Sequence, residues 1–452
     1  MKKTVTAVFD IGKTNKKFFL FDAEFQEVYR EYVQFDEITD EDGHPTEDLS
    51  ALRDWLKTVF DRMLKTEKYD IKAINFSSYG ASLVHLDENR DVIFPLYNYT
   101  KSIPQEIIDS FYEKYGPEED FHQKTGSSSS GMLNAGMQLY WLKNTKPEVF
   151  KKIRYSLHLP QYLSFVFTGI PLSEYTSIGC HTSLWDFEKR DYHDWVYAEN
   201  LDQILPPIVS TETSINMNYN GKRIKIGVGI HDSSAALLPY VRSLKNQFIL
   251  ISTGTWSIAL NPFVERTLSK KDVADDCINY MRINGKPVKS ARLFLGNEYS
   301  IQVKKLTEHY GVDKDYHKTV KFDPEIHYEI VKEFEKLFKW ESIDDPEMPK
   351  ETHLRYTSFE DAYHHLMMEL VLLQVESIKS AKGNMTIEKL FVDGGFSDND
   401  IYIHLLSHHF RTMELRTTDS SLGSALGAAI CISDTQLNSK FLKKNYSMKK
   451  HI

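Results

Sequence analysis

The 452-residue chain carries 55 Lys and Arg against 64 Asp and Glu, a net charge of −9, with 41% hydrophobic and 26% charged residues. That balance excludes wholesale disorder and argues against a nucleic-acid partner, and the length is that of two or three domains. No apolar run approaches the roughly 18 to 20 residues of a membrane span, and Met1-Lys2-Lys3 leads into a strand rather than a signal-peptide core. Cys180, Cys277 and Cys431 stand apart with no C-x-x-C pair, so a soluble cytoplasmic protein without membrane contact is expected.

Residues 4–10 and 18–22 read as strands, and residues 11–17 between them as a hairpin. The first strand delivers Asp10 into a turn bearing Gly12, Lys13, Thr14, Asn15, Lys16 and Lys17. A carboxylate, free backbone N–H groups and cations together suit a phosphate and a hydrated metal, although a polar hairpin tip has the same composition. Gly12-Lys13-Thr14 ends like a P-loop, but Ala7 stands where the first glycine is required. Residues 73–82 form a β-rich segment ending in small residues, and residues 127–131 a loop inside the first half. Residues 225–230 read as a strand that ends in His231-Asp232 and opens a helix. Asp232 there serves either as the helix N-cap or as a general base at a cleft rim. Gly227-Val228-Gly229 lacks the third glycine of a dinucleotide fingerprint.

About 240 residues after the first hairpin, residues 248–252 and 257–260 flank Thr253-Gly254-Thr255-Trp256, again strand, turn, strand. The two halves begin alike, which indicates a duplicated α/β unit. Residues 312–352 are charged and proline-bearing and read as an insertion. Ile326, Ile330, Phe334, Leu337 and Phe338 recur at helical spacing, as do Tyr363, Leu366, Met367, Leu370 and Leu373. Asp393-Gly394-Gly395-Phe396-Ser397 follows a strand and precedes Asn399 and a helix, and paired glycines there let a ring or a phosphate approach the backbone. His364-His365 and His408-His409 lack partners at zinc-site spacing. Residues 438–452, rich in lysine, are expected to be a solvated helix or a frayed tail.

Taken in order, residues 10–17, Gly229-Ile230-His231-Asp232, residues 252–257 and residues 393–397 resemble the motif set of the FGGY carbohydrate kinases. Supporting matches are Thr125-Gly126, residues 139–144 followed by Pro147-Glu148, and Ala425-Leu426-Gly427-Ala428-Ala429. In motif wording the chain is most similar to the rhamnulokinase and fuculokinase branch. The resemblance implies an α/β fold of two actin-like (ribonuclease-H-like) domains flanking a cleft, residues 1–243 on the sugar side and 244–452 on the ATP side. It implies ATP and Mg²⁺ as cofactors, a small-molecule sugar as partner, and leaves a homodimer open. Asp10 would hold Mg²⁺ through water, while Gly12, Lys13, Thr14, Asn15 and Lys17 would face the transferred phosphate, clasped from the other side by Gly254 and Thr255. Asp232 would be the base, Gly394, Gly395 and Asn399 would bound adenosine, and Gly80, Ala81, Ser82, Asn98, Tyr99, His231 and Asp232 would meet the sugar.

The chain departs from the family pattern at three places. Tyr97-Asn98-Tyr99-Thr100-Lys101 replaces an aromatic followed by Asp and Arg, Asp393 replaces the first of three glycines, and Gly80-Ala81-Ser82 matches the sugar loop loosely. A deoxy-ketohexose such as rhamnulose or fuculose is the expected substrate, with a pentulose or a polyol as alternatives. An actin-like ATP-binding module without transfer activity is the rival reading.

Overall fold

The computed structural model describes residues 2–418 and 422–451. Two seven-stranded sheets organise the chain. The first holds β1 (Lys3–Ile11), β2 (Lys16–Asp22), β3 (Glu27–Val33), β4 (Tyr69–Ser78), β5 (Ser214–Tyr219), β6 (Lys222–Gly227) and β7 (Ile230–His231). Their order is β5-β6-β4-β1-β2-β3, with β7 continuing the ladder beside β4. The second holds β8 (Phe248–Thr253), β9 (Ser257–Asn261), β10 (Cys277–Met281), β11 (Pro287–Leu293), β12 (Lys389–Gly394), β13 (Glu414–Thr418) and β14 (Lys449–Lys450). Their order is β10-β11-β9-β8-β12-β13-β14.

The duplication expected from sequence is carried by six strands of each sheet. β1 pairs antiparallel with β2 and parallel with β4, as β8 does with β9 and β12. The ladders continue alike, β4 with β6 and β12 with β13 in parallel, then β5 and β14 antiparallel at the edges. β10 has no counterpart in the first sheet. Central strands β1 and β8 are near-continuous apolar runs because both their faces are covered.

Helix α1 (Leu49–Lys65) starts at Asp48, whose carboxylate accepts from the Ser50 and Ala51 N–H groups, and it buries Leu52, Leu56, Val59 and Phe60 in the core of the first half. Helices α2 (Asp232–Ser243) and α6 (Gly423–Cys431) belong to a core that spans both sheets, joining Val8, Phe19 and Phe21 to Phe248, Leu250 and Phe391. At their crossing a Cβ on Gly427 would sit 1.8 Å from the Ala235 carbonyl oxygen, so the small residues 425–429 permit backbone-to-backbone contact. In the second half α3 (Leu295–Tyr310), α4 (Phe359–Lys382) and α5 (Asp400–His409) share one large core.

Residues 363–373 lie within α4 as their spacing predicts. The 326–338 periodicity is only half helical: the helix spans Pro324–Lys332, and Leu337 and Phe338 reach the core from irregular chain. The Leu337 N–H is taken by the Glu369 carboxylate at 2.7 Å, which replaces a helical bond. Of the two expectations for the terminal segment, the helix holds: it spans Lys440–Asn445 with its lysines exposed, and the segment is not frayed. Leu442 and Tyr446 are buried, and Lys449 pairs with Thr417. His364 and His365 are buried and engaged with backbone groups and with Tyr356.

Candidate active site

β1 ends at the cleft with Asp10, paired across the sheet with Lys17 and Ser77. Asp10 is buried, and burial pushes its carboxyl up to about 6. The Lys17 ammonium at 4.0 Å and the Ser424 hydroxyl oppose the shift, whereas the charge of Asp232 adds to it. The turn beyond is closed by the Gly12 N–H donating to the Asn15 carbonyl at 3.0 Å. Thr14 and Asn15 are exposed at its tip, Asn15 accepting from Gln34 at 2.7 Å.

The three lysines of this hairpin have separate work. Lys13 pairs with Glu37 at 2.9 Å and lies 3.6 Å from Glu47. Lys16, buried beneath the turn, pairs with Glu47 at 2.9 Å and donates to the Lys13 carbonyl at 2.8 Å. Lys17 faces Asp10. The brace between Lys16 and Glu47 was not legible in the hairpin, because Glu47 comes from a distant segment.

On the neighbouring ladder β7 pairs His231 with Ser78, and α2 begins at Asp232. His231 holds the N-cap position, so Asp232 is not the cap; its carboxylate accepts from the Ser233 N–H at 2.5 Å and the Ser233 hydroxyl at 3.2 Å. Water reaches 34% of the Asp232 side chain from the cleft, but protein encloses the rest, and burial pushes its carboxyl up to about 6. His231 Nε2 lies 3.2 Å from Asp232 Oδ1 and 3.2 Å from Cys180 Sγ. A Cβ on Gly80 would come within 3.1 Å of the same ring, so glycine is what lets this loop lie against His231.

The remaining sugar-side residues divide. Ala81, with φ of 59°, and Ser82 are buried; the Ala81 carbonyl accepts from Gln138 at 2.6 Å. Asn98 ties its loop to a separate segment, donating to the Pro45 carbonyl at 3.2 Å and accepting from the Thr100 N–H at 3.1 Å. Tyr99 is half-buried within electrostatic reach of Lys13 and Asp232, and a polar 660 Å³ cavity opens from it toward Ser129, Ser130 and Met132.

In the second half Gly254, Thr255, Gly395 and Asn399 come together with Gly296, Asn297, Tyr299, Ser300 and Phe396 around a 340 Å³ pocket. A Cβ on Gly395 would meet nothing within 4 Å, so this backbone borders open space. Gly394 does not line the pocket. Its φ of 91° and close approach to the Thr253 carbonyl, which a Cβ would meet at 2.0 Å, aim the Gly395 N–H at that carbonyl at 3.0 Å. Asn399 caps α5 by accepting from the Tyr402 N–H at 3.0 Å and donates to the Tyr363 hydroxyl at 2.9 Å. The α3 wall was not legible in sequence; Gly296 is required there because a Cβ would fall 1.9 Å from the Gly254 carbonyl oxygen.

This ordered pair of half-sites has relatives. The N-terminal domain of the FGGY family of carbohydrate kinases matches residues 5–237, and the C-terminal domain of FGGY carbohydrate kinases matches residues 245–327. The chain belongs to the FGGY family of carbohydrate kinases. A rhamnulokinase of Halalkalibacterium halodurans is 26% identical over 260 residues, 55% of this chain and 52% of the relative. Another rhamnulokinase, of Oceanobacillus iheyensis, is 25% identical over 204 residues, 42% of this chain and 41% of the relative. The matched stretch thus spans about half the length of these curated relatives. The crystal structure of a carbohydrate kinase from Novosphingobium aromaticivorans superposes with a TM-score of 0.82 at 22% identity, covering 100% of this chain and 94% of that one, so the two share a fold through both halves. Among the described residues no helix of this FGGY chain is long and apolar enough to cross a membrane.

Proposed function

We propose that this protein is an ATP-dependent sugar kinase transferring the γ-phosphate of ATP to a hydroxyl of a small sugar. The observation that carries the reading is the pair Asp10 and Asp232. Two carboxyls raised to about 6 by burial stand at neighbouring strand ends of the first sheet, one of them beside Lys17, and the charge of Asp232 raises Asp10 further. A structural ion-pair network would neutralise such carboxylates; here their environments keep both available for chemistry.

In this reading Asp232 takes the proton from the sugar hydroxyl as it attacks the γ-phosphorus, and a carboxyl near 6 is ionised at neutral pH while still basic enough to accept it. Lys17 and the turn from Gly12 to Asn15 face the transferred phosphate, and Gly254 and Thr255 clasp it from the other half. Gly395 and Asn399, with the wall from Gly296 to Ser300, bound the adenosine pocket. Asp10 suits Mg²⁺ held through water, since its oxygens are hard donors and Lys17 at 4.0 Å only partly neutralises it. When bound, Mg²⁺ supplies positive charge to the phosphate oxygens. Phosphoryl transfer needs mostly in-line positioning and charge stabilisation, which two half-sites on rigid strand ends provide.

The likeness to rhamnulokinases supports a deoxy-ketohexose such as rhamnulose or fuculose as the sugar. ADP production measured across ketoses, polyols and sugar acids tests both levels. Turnover on a deoxy-ketohexose is expected. Turnover confined to another class corrects the sugar, and no sugar-dependent ADP from folded, ATP-binding protein rejects the kinase reading.

A further inference from the structure

Trp256 ends the turn between β8 and β9, where 45% of its surface is exposed. The turn is closed by the Gly254 N–H donating to the Trp256 carbonyl at 2.8 Å, and the Trp256 ring packs on Phe294 with centroids 4.3 Å apart. Arg292, the penultimate residue of β11, also lies against that ring, its guanidinium carbon 5.9 Å from the centroid.

Arg292 serves more than its own half. Its Nη2 donates to the Asp276 carboxylate at 2.9 and 3.0 Å and to the Ser128 hydroxyl of the first half at 2.8 Å. Ser128 belongs to the loop whose next members, Ser129 and Ser130, border the polar cavity that opens from Tyr99. One side chain therefore touches the loop beside Tyr99 and the turn that carries Gly254 and Thr255. Other bonds between the halves end on backbone: the Asn279 N–H donates to the Gly126 carbonyl at 2.8 Å, and His122 Nε2 meets the Cys277 carbonyl at 2.8 Å. They seat the segment before Ser128 on β10 without involving the turn.

The surroundings of Arg292 make it a poor source of stability. Its side chain is 13% exposed and its Nε is buried without a hydrogen-bond partner among the described residues, while Asp276 is 58% exposed, where an ion pair contributes little. A mostly dry guanidinium bonded through one nitrogen is costly to keep.

We propose that Arg292 is a positioning residue that couples the acceptor side of the cleft to the phosphate side. The inference rests on the kinase reading above, in which the loop beside Tyr99 adjoins the sugar and Gly254 and Thr255 clasp the transferred phosphate. Bonded to Ser128 and stacked on Trp256, Arg292 sets the turn relative to that loop and touches neither substrate itself. In-line transfer tolerates little error, since a displacement of about 1 Å costs on the order of 100-fold.

The test is a double-mutant cycle of Arg292→Gln and Ser128→Ala on the best sugar of the panel, with ATP affinity measured calorimetrically. Arg292→Gln is expected to lower kcat by about 10- to 100-fold while ATP affinity holds. Ser128→Ala alone should lower kcat by about three- to tenfold and add nothing further in the Arg292→Gln background, because both remove the same link. An arginine with a merely structural role would lower the melting temperature and leave kcat alone. Wild-type kcat in folded Arg292→Gln, or losses that multiply in the double variant, overturns the proposal. Should Arg292→Gln fail to fold, Ser128→Ala with Trp256→Leu forms the same cycle from the two ends of the link, and independent losses there overturn it equally. Failure of the kinase reading shows separately, as wild-type protein that releases no ADP with any sugar.

Discussion

The two hairpin tips that face the cleft share a ladder and differ in chemistry. In the first half the penultimate rung between the hairpin strand and its parallel neighbour is Asp10 with Ser77; in the second half it is Ser252 with Asp393. The carboxylate has changed strands. In the first half it lies at the cleft beside Lys17, and in the second it accepts from Thr418 at 3.1 Å within the sheet. The first tip is therefore charged and braced by a buried ion pair, Lys16 with Glu47, whereas the second is neutral and braced by backbone contact with Gly296 and Gly394. One scaffold thus yields a charged strand end and a neutral one through changes at strand ends while the ladders stay fixed; in the proposed function the first serves the metal and the reacting phosphate and the second the nucleotide body.

The largest expected effect falls on the charged side. Asp232→Asn should lower sugar phosphorylation by about 10²- to 10⁴-fold, because an amide cannot accept the hydroxyl proton, while calorimetric ATP affinity is retained. Near-normal turnover would reduce Asp232 to a structural residue and erase the asymmetry between the halves.

The braces can be separated next. Lys16→Ala should leave the buried Glu47 carboxylate with only the more distant Lys13 at 3.6 Å and the Tyr79 hydroxyl, and cost up to about 3 kcal/mol in urea unfolding, whereas Lys16→Met with Glu47→Gln together should recover most of it. A loss below about 1 kcal/mol for the single change would mean that the first tip, like the second, stands on its backbone.

On the neutral side Gly395→Val should weaken ATP by roughly tenfold or more without unfolding the protein, since the branched side chain enters the space that the nucleotide needs. Unchanged affinity in folded variant would move the adenosine pocket away from the α3–α5 wall.

The smallest effect concerns the cost of holding the base. Asp232 has a folded-state value near 6 against an ordinary 3.8, so between pH 4 and 6 the folded protein binds more protons than the unfolded chain. Its contribution to stability therefore declines as pH rises through that window and stays diminished above it. A shift of this size is worth about 3 kcal/mol when fully enclosed, and about 1 kcal/mol after allowing for the part of the side chain that water reaches. Asp232→Asn should accordingly be about 1 kcal/mol more stable than wild type at pH 8 and equal to it near pH 4. Equal stability at both pH values would place Asp232 in an environment no different from water.

Much of this was legible in the linear chain. Strand, turn and strand recurring after about 240 residues indicated the duplication, and the motif order indicated the family. The segments carrying Asp10, Asp232, Gly254 and Gly395 are local strand-end signals, which depend on neighbours in sequence and can be read from them. The second half of the helix over 326–338 and the anchoring of residues 446–450 were not legible for the complementary reason. Glu369, 32 residues further along the chain, takes the Leu337 N–H, and the distant strand β13 captures Lys449.

What the sequence by itself determined is therefore the duplicated α/β unit and the residue types presented at each strand end. Tertiary structure decided which of Lys13, Lys16 and Lys17 is a surface partner, a buried brace or a neighbour of Asp10, because Glu37 and Glu47 arrive from elsewhere in the chain. It also decided that Cys180, Gly80 and Tyr280 surround His231, and that α3 walls the pocket beside Gly254 and Gly395. Burial raises Asp10 and Asp232, and burial is a property of everything packed around a group, most of it remote in sequence.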